Sequence, residues 1–240
     1  MRRRASRKNQ DNARPGGDHE DRLAVMSTNP RIYLDFNATA PLSPAVRAAI
    51  TQALGDSGNP SSIHTEGRRA RDHVERARDQ VARLVGRPRE QVVFTSGGTE
   101  ANALGVLGLA AVAERRGLPR VVASADVDHP SLAGAVAALV GRGWRRRALA
   151  VSAAGAVQPI AAAASASVSA AVSAAGAAEG IGLVALAAVN HELGTIAGPE
   201  VFASARAAGA LIHVDAVQAA GKLDLSAIDA DALAISAHKL

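Results

Sequence analysis

The chain has 240 residues, 48% of them hydrophobic, 20% charged and 2% aromatic, and it contains no cysteine. That apolar fraction supports a sizeable core and excludes global disorder, while the missing thiols exclude a disulfide scaffold, thiolate ligation of zinc or iron–sulfur clusters, and a cysteine nucleophile within these residues. The net charge is +5, but residues 1–25 hold seven Lys or Arg against four acids, so the remainder is nearly neutral and, with so few aromatics, does not read as a nucleic-acid surface.

Residues 1–30 are polar, arginine-rich and aperiodic, lack the apolar run of a secretory signal, and read as a disordered basic tail. From residue 31 to 240 the pattern is that of one domain. Ser43 and Pro44 are a helix cap and a first-turn proline, with Val46, Ile50 and Leu54 on one face. Ala70, Val74, Ala77, Val81 and Leu84 recur at helical spacing, and Gly86 is the stop. Short apolar runs then precede helical segments. Gln91–Thr95 leads into Thr99–Arg116, Arg120–Ser124 into Ser131–Gly141, and Trp144–Val151 into an Ala/Ser-rich stretch. Gly182–Val189 leads into Pro199–Ala208, and the runs Ala210–Val214 and Ala232–Ser236 follow. Alternating strands and helices predict an α/β fold, a mainly parallel sheet with helices on both faces. The stretch from Ala153 to Gly180 has helix propensity without amphipathic contrast and predicts a poorly anchored surface helix. The arginines around Trp144 (Arg142, Arg145, Arg146 and Arg147) are expected to flank a short strand and read as a solvated edge. No apolar run is long and hydrophobic enough to span a membrane, so the default location is cytoplasmic.

Ligands of parallel α/β sheets bind beyond the carboxyl ends of the strands. Five polar clusters follow the apolar runs. Thr95 to Glu100 form a glycine turn opening a helix, where Gly98 N–H and the Thr99 hydroxyl could hold a phosphate; an ordinary capped turn gives the same pattern. His129 follows Asp128 after a second run, and a lone loop histidine is usually plain polar surface. Asn190-His191-Glu192 ends a third; it resembles the start of a zinc-protease motif, but Thr195 stands where the second ligand would be, so no metal site is expected. Asp215 ends a very apolar run, where a carboxylate needs a partner or serves as a cap, and Gln218 lies just beyond it. Ser236, His238 and Lys239 follow the last run, with a surface lysine as the plain alternative to a desolvated amine fit for a Schiff base. Taken together the five clusters suit pyridoxal 5'-phosphate, which needs a phosphate cup, a carboxylate for its ring nitrogen, a lysine for its aldehyde and a ring partner.

These stretches resemble the cysteine desulfurase family, in the class V aminotransferase-like branch of fold-type I pyridoxal phosphate enzymes. The matching segments are Tyr33 to Pro41, Gly58 to Ser62, Phe94 to Asn102, Asp128-His129, Val189 to Gly194, His213 to Lys222 and Ser236 to Lys239, in family order. The resemblance implies a cofactor-binding large domain over residues 31–240, ending just after the Schiff-base lysine. It implies Lys239 as that lysine, Asp215 as the partner of the ring nitrogen, and His129 as the imidazole stacked on the ring, also able to move protons. Gln218 and Asn190 would lie near the ring oxygen. Thr99, Ser236 and His238 would contact the phosphate together with Gly98. The implied enzyme takes sulfur from L-cysteine, leaving alanine and an enzyme persulfide for iron–sulfur cluster or other sulfur-transfer pathways. It implies a homodimer and a sulfur-acceptor protein as partners. The family's persulfide cysteine and its arginine for the substrate carboxylate have no counterpart here, so these residues alone are expected to show little or no activity. Alternatives are a related class V lyase of the selenocysteine lyase type, or a non-catalytic remnant.

Overall fold

The computed structural model describes residues 32–160 and 180–240. The tail expected at 1–30 and most of the helix expected over 153–180 lie outside them. The chain divides into two units, Met1–Leu34 and Asp35–Leu240. In the first, Ile32–Leu34 have no regular secondary structure.

The second unit carries five helices and five strands among its described residues: α1 (Pro44–Leu54), α2 (Thr65–Val85), α3 (Gly98–Arg115), β1 (Val121–Ser124), α4 (Pro130–Val140), β2 (Arg145–Ala148), β3 (Leu183–Ala187), α5 (Pro199–Ala207), β4 (Leu211–Asp215) and β5 (Ala232–Ala234). Ser43 caps α1 by accepting from Val46 N–H. Gly86 ends α2 in the left-handed conformation (φ 63°), which glycine reaches without steric cost.

All strand pairs are parallel, in the order β2-β1-β3-β4-β5. After β2 the chain crosses back over β1 to add β3, so the winding direction reverses between β1 and β3. Such a reversal opens a crevice at the carboxyl ends of those two strands. It also sends the connecting helices to opposite faces. Val122, Leu183, Ala185 and Leu211 pack with α3 and α4. The alternate residues Val121, Ala123, Val184, Leu186, Ile212 and Val214 pack with α5 and with Val85 of α2. Leu183, Leu186 and Ile212 are fully buried, worth about 2 kcal/mol each. The expected sheet with helices on both faces is present.

Three local expectations are corrected. Gln91–Thr95 is not a strand: Gln91 closes a 3-10 turn, and residues 92–95 have no ladder partner among the described residues. Alternation makes a segment competent to be a strand, but a strand exists only where a neighbour offers its backbone. Residues 153–160 are not helical: a tight turn over 152–156 is closed by an antiparallel bridge between Val151 and Val157, and residues 158–160 have no regular secondary structure. The arginines do not flank the edge strand; Arg145, Arg146 and Arg147 are most of β2, which occupies the sheet edge. Trp144 beside them is buried and donates Nε1–H to Glu114. No described helix is long and apolar enough to cross a membrane.

Candidate active site

The strand ends converge on a cavity of about 210 Å³. It is lined by Gly98 and Thr99 at the start of α3, His129 at the start of α4, Asp215 and Gln218 after β4, and Ser236, His238 and Lys239 after β5. Eight of the nine residues picked out in the sequence therefore meet in one place. Asn190 does not line it. Its Oδ1 accepts from the N–H groups of Glu192 and Leu193, and its Nδ2 donates to Val127 O. It holds the turn after β3 and ties that turn to the loop after β1.

Each position follows from its element. The sheet register sets Asp215 beside Ala187 of β3 and Ala234 of β5, two small side chains that leave its carboxylate room. Asp215 is 6% exposed; Oδ2 accepts from Asn102 Nδ2 at 2.8 Å and Oδ1 from Val217 N–H at 3.0 Å. Among the described residues no lysine or arginine forms an ion pair with it. The helix α3 has Gly97 as N-cap and no side-chain cap, so its first N–H groups are left for another acceptor. A Cβ on Gly98 would stand 3.1 Å from Val217 Cγ2 and 3.4 Å from Ser236 Cβ, so a glycine there lets the loops after β4 and β5 close in.

His129 caps α4, its Nδ1 accepting from Ser131 N–H at 3.1 Å. Its pKa is lowered, first by burial and then by the neighbouring His191, whose ring meets it edge-on at 4.8 Å. A neutral imidazole with an occupied Nδ1 carries its proton on Nε2. Gln218 donates to Asn37 O at 2.9 Å. Asn37 in turn reaches His191 O, and Ala40 N–H and Thr39 Oγ1 both donate to His238 O. The segment Asn37–Ala40 thereby straps the cavity mouth, and Ala38 lines it. Lysine is scarce: only Lys8, Lys222 and Lys239 carry an ε-amine, and of these Lys239 alone lines the cavity.

Asp128 sits at the reversal point. Its Oδ2 accepts from Ala125 N–H and its Oδ1 from Ala187 N–H, each at 3.0 Å. Burial raises its pKa to about 6. Asn102, Ser131 and His191 also line the cavity and escaped the sequence reading as site residues. The signal for Asn102 was a polar residue on the helix stripe that continues with Val106, Ala110 and Ala113.

The family model for class-V aminotransferases matches residues 32–240. A cysteine desulfurase of Bradyrhizobium diazoefficiens is 38% identical over 214 residues, covering 87% of this chain and 51% of that protein. Among solved structures, a NifS-like protein superposes with a TM-score of 0.73 at 28% identity, covering 88% of this chain and 56% of that one. The protein SspA in complex with cysteine superposes with a TM-score of 0.71 at 25% identity, covering 86% and 57%. The chain spans about half the length of the curated relatives it matches.

Proposed function

The chain belongs to the aminotransferase class-V family, and from that premise we infer that it is the cofactor-binding part of a cysteine desulfurase, with pyridoxal 5'-phosphate held at the strand ends. In this reading residues 31–240 are the large domain. The observation that carries it is Asp215, a buried carboxylate on the same cavity as Lys239 and His129, with no ion-paired lysine or arginine among the described residues. A buried charge costs several kcal/mol unless a cation offsets it. A protonated ring nitrogen is such a cation, and the uncapped start of α3 suits a phosphate.

The residues take these roles. Lys239 supplies the amine for the cofactor aldehyde. Asp215 keeps the ring nitrogen protonated. Thr99, Ser236 and His238, with Gly98 N–H, hold the phosphate, and Gln218 lies near the ring oxygen. Asn190 acts at one remove, by fixing the turn that carries His191. His129 has Nδ1 committed to Ser131, which leaves Nε2 as the atom to pass a proton to or from the substrate. When bound, pyridoxal phosphate supplies the electron sink that stabilises the carbanion left by loss of the α-proton. L-Cysteine is the proposed substrate and alanine the product; a cysteine complex of the similar protein SspA supports the choice. The chain holds no cysteine, so the thiolate that takes the sulfur comes from outside these 240 residues. A second copy of the chain and a sulfur-acceptor protein are the proposed partners, and the cytoplasm the proposed location.

The test is titration of the purified chain with pyridoxal phosphate, followed by visible absorbance. A Schiff-base band is expected, lost in Lys239→Ala and kept in Lys8→Arg. No band in the unmodified chain, or a band that survives Lys239→Ala, sinks the reading.

A further inference from the structure

We propose that Asn102 is a positioning residue that sets both Asp215 and His129 through one directional hydrogen-bond network anchored on His213. The part that concerns the cofactor rests on the function proposed above; the network itself belongs to the cofactor-free chain.

The directions follow from donor and acceptor chemistry. Asn102 is 1% exposed and touches three side chains: Asp215 Oδ2 at 2.8 Å, Ser131 Oγ at 3.0 Å and His213 Nε2 at 3.0 Å. An ionised carboxylate only accepts, so the amide nitrogen faces Asp215. The amide oxygen then faces His213, whose Nε2 must carry a proton and donate. His213 is fully buried, and its Nδ1 has no partner, which agrees with a neutral ring in that single tautomer. The second amide hydrogen goes to Ser131 Oγ. That hydroxyl is left to donate to His129 Nδ1, 2.8 Å away. The opposite amide orientation would set oxygen against the carboxylate and N–H against N–H.

The position of His213 is itself telling. It sits in the apolar layer under α3, where Gly105 passes so close that any Cβ would overlap the ring. An apolar side chain would fill that site without leaving a nitrogen unpartnered. The one bond the imidazole makes goes to Asn102. One buried amide therefore holds the carboxylate meant for the ring nitrogen and, through Ser131, the imidazole on the other side of the cavity.

The test uses two readouts. In the cofactor-free protein, imidazole NMR follows the titration of His129. His191, Asp215 and Lys239 also act on that ring and are left in place. In Asn102→Leu the Ser131 hydroxyl loses the amide hydrogen that polarises it, so it donates less strongly to a neutral Nδ1 and accepts more readily from a protonated one. The His129 midpoint should therefore rise. Adding Ser131→Ala should remove the rise, a coupling that mere loosening of the fold does not produce. With cofactor, the affinity of Asn102→Leu for pyridoxal phosphate should fall about tenfold, the worth of one hydrogen bond to a charged group. Asn102→Ala should give the same two changes if the leucine variant does not fold. An unchanged His129 midpoint overturns the network, and an unchanged affinity overturns its role toward the cofactor. If the unmodified chain shows no cofactor band, the proposed function fails, and the His129 titration still decides the network.

Discussion

Asp128 accepts a hydrogen bond from the backbone N–H of Ala187, 59 residues further along, at 3.0 Å. The other oxygen of the same carboxylate holds Ala125 N–H. One side chain thus ties the carboxyl end of β1 to that of β3, where the winding reverses and the cavity opens.

The Asp128 link predicts a pH signature. The folded state holds the proton up to about pH 6, whereas the ordinary value is 3.8. Between these values the folded chain binds more protons than the unfolded one, so the Asp128 contribution falls as pH rises. It changes by up to about 3 kcal/mol. Asn in its place accepts only one of the two N–H bonds and does not titrate. The deficit of Asp128→Asn in urea unfolding should be largest near pH 4 and shrink towards pH 7. A deficit that grows with pH would refute the assignment.

His213 predicts the opposite slope. Burial lowers its pKa from 6.5 to about 4. The unfolded chain binds more protons between those values, so stability is lost as pH falls from about 6.5 to 4, by up to about 3 kcal/mol. His213→Gln should lose less stability than its parent on acidification, as read by the same urea titrations. Asp128 and His213 partly cancel in the parent, so the stability curves of the two variants should slope in opposite directions around pH 5.

Two glycines one turn apart on α3 should respond in opposite ways. Gly105→Ala forces a Cβ into the His213 ring and should cost about 1–3 kcal/mol. Gly108 has nothing near its would-be Cβ, so Gly108→Ala should stabilise the helix by up to about 1 kcal/mol. Thermal melts of the two variants check both signs.

Arg206 on α5 grips the loop before β5. It makes a two-pronged bond to Asp229, at 2.9 Å on each side, and a third bond to Asp231 at 2.6 Å. Asp231 Oδ2 also accepts from Ile212 N–H of β4. Lysine cannot form the two-pronged pair, so Arg206→Lys should destabilise the chain by about 1–2 kcal/mol. Because this loop leads into β5, the strand that precedes Ser236 and Lys239, amide exchange should quicken in β5 more than in β1.

The period of the apolar residues was enough to place four of the five helices near their true ends and to announce a parallel sheet with buried faces. Eight of the nine residues picked out in the sequence line one cavity; six of them end or follow buried strands, where ligands of such sheets bind, whereas Gly98 and Thr99 follow a segment with no ladder among the described residues. Asn190 shows the limit. It stands in such a position, yet three backbone groups consume its amide, and nothing local to it announces that. Asn102 shows the converse. Its function depends on α3 crossing over β4, which brings it to Asp215, 113 residues away. Periodicity is a local property: it says which face of an element is apolar and where the element stops. The choice of strand neighbours is not local. It decided that β3 lies beside β1, that residues 92–95 find no ladder among the described residues, that Asp128 reaches Ala187 N–H and that Asn102 reaches Asp215. Hydrogen bonds between such distant groups form only once sheet order and helix crossing have set their atoms within reach.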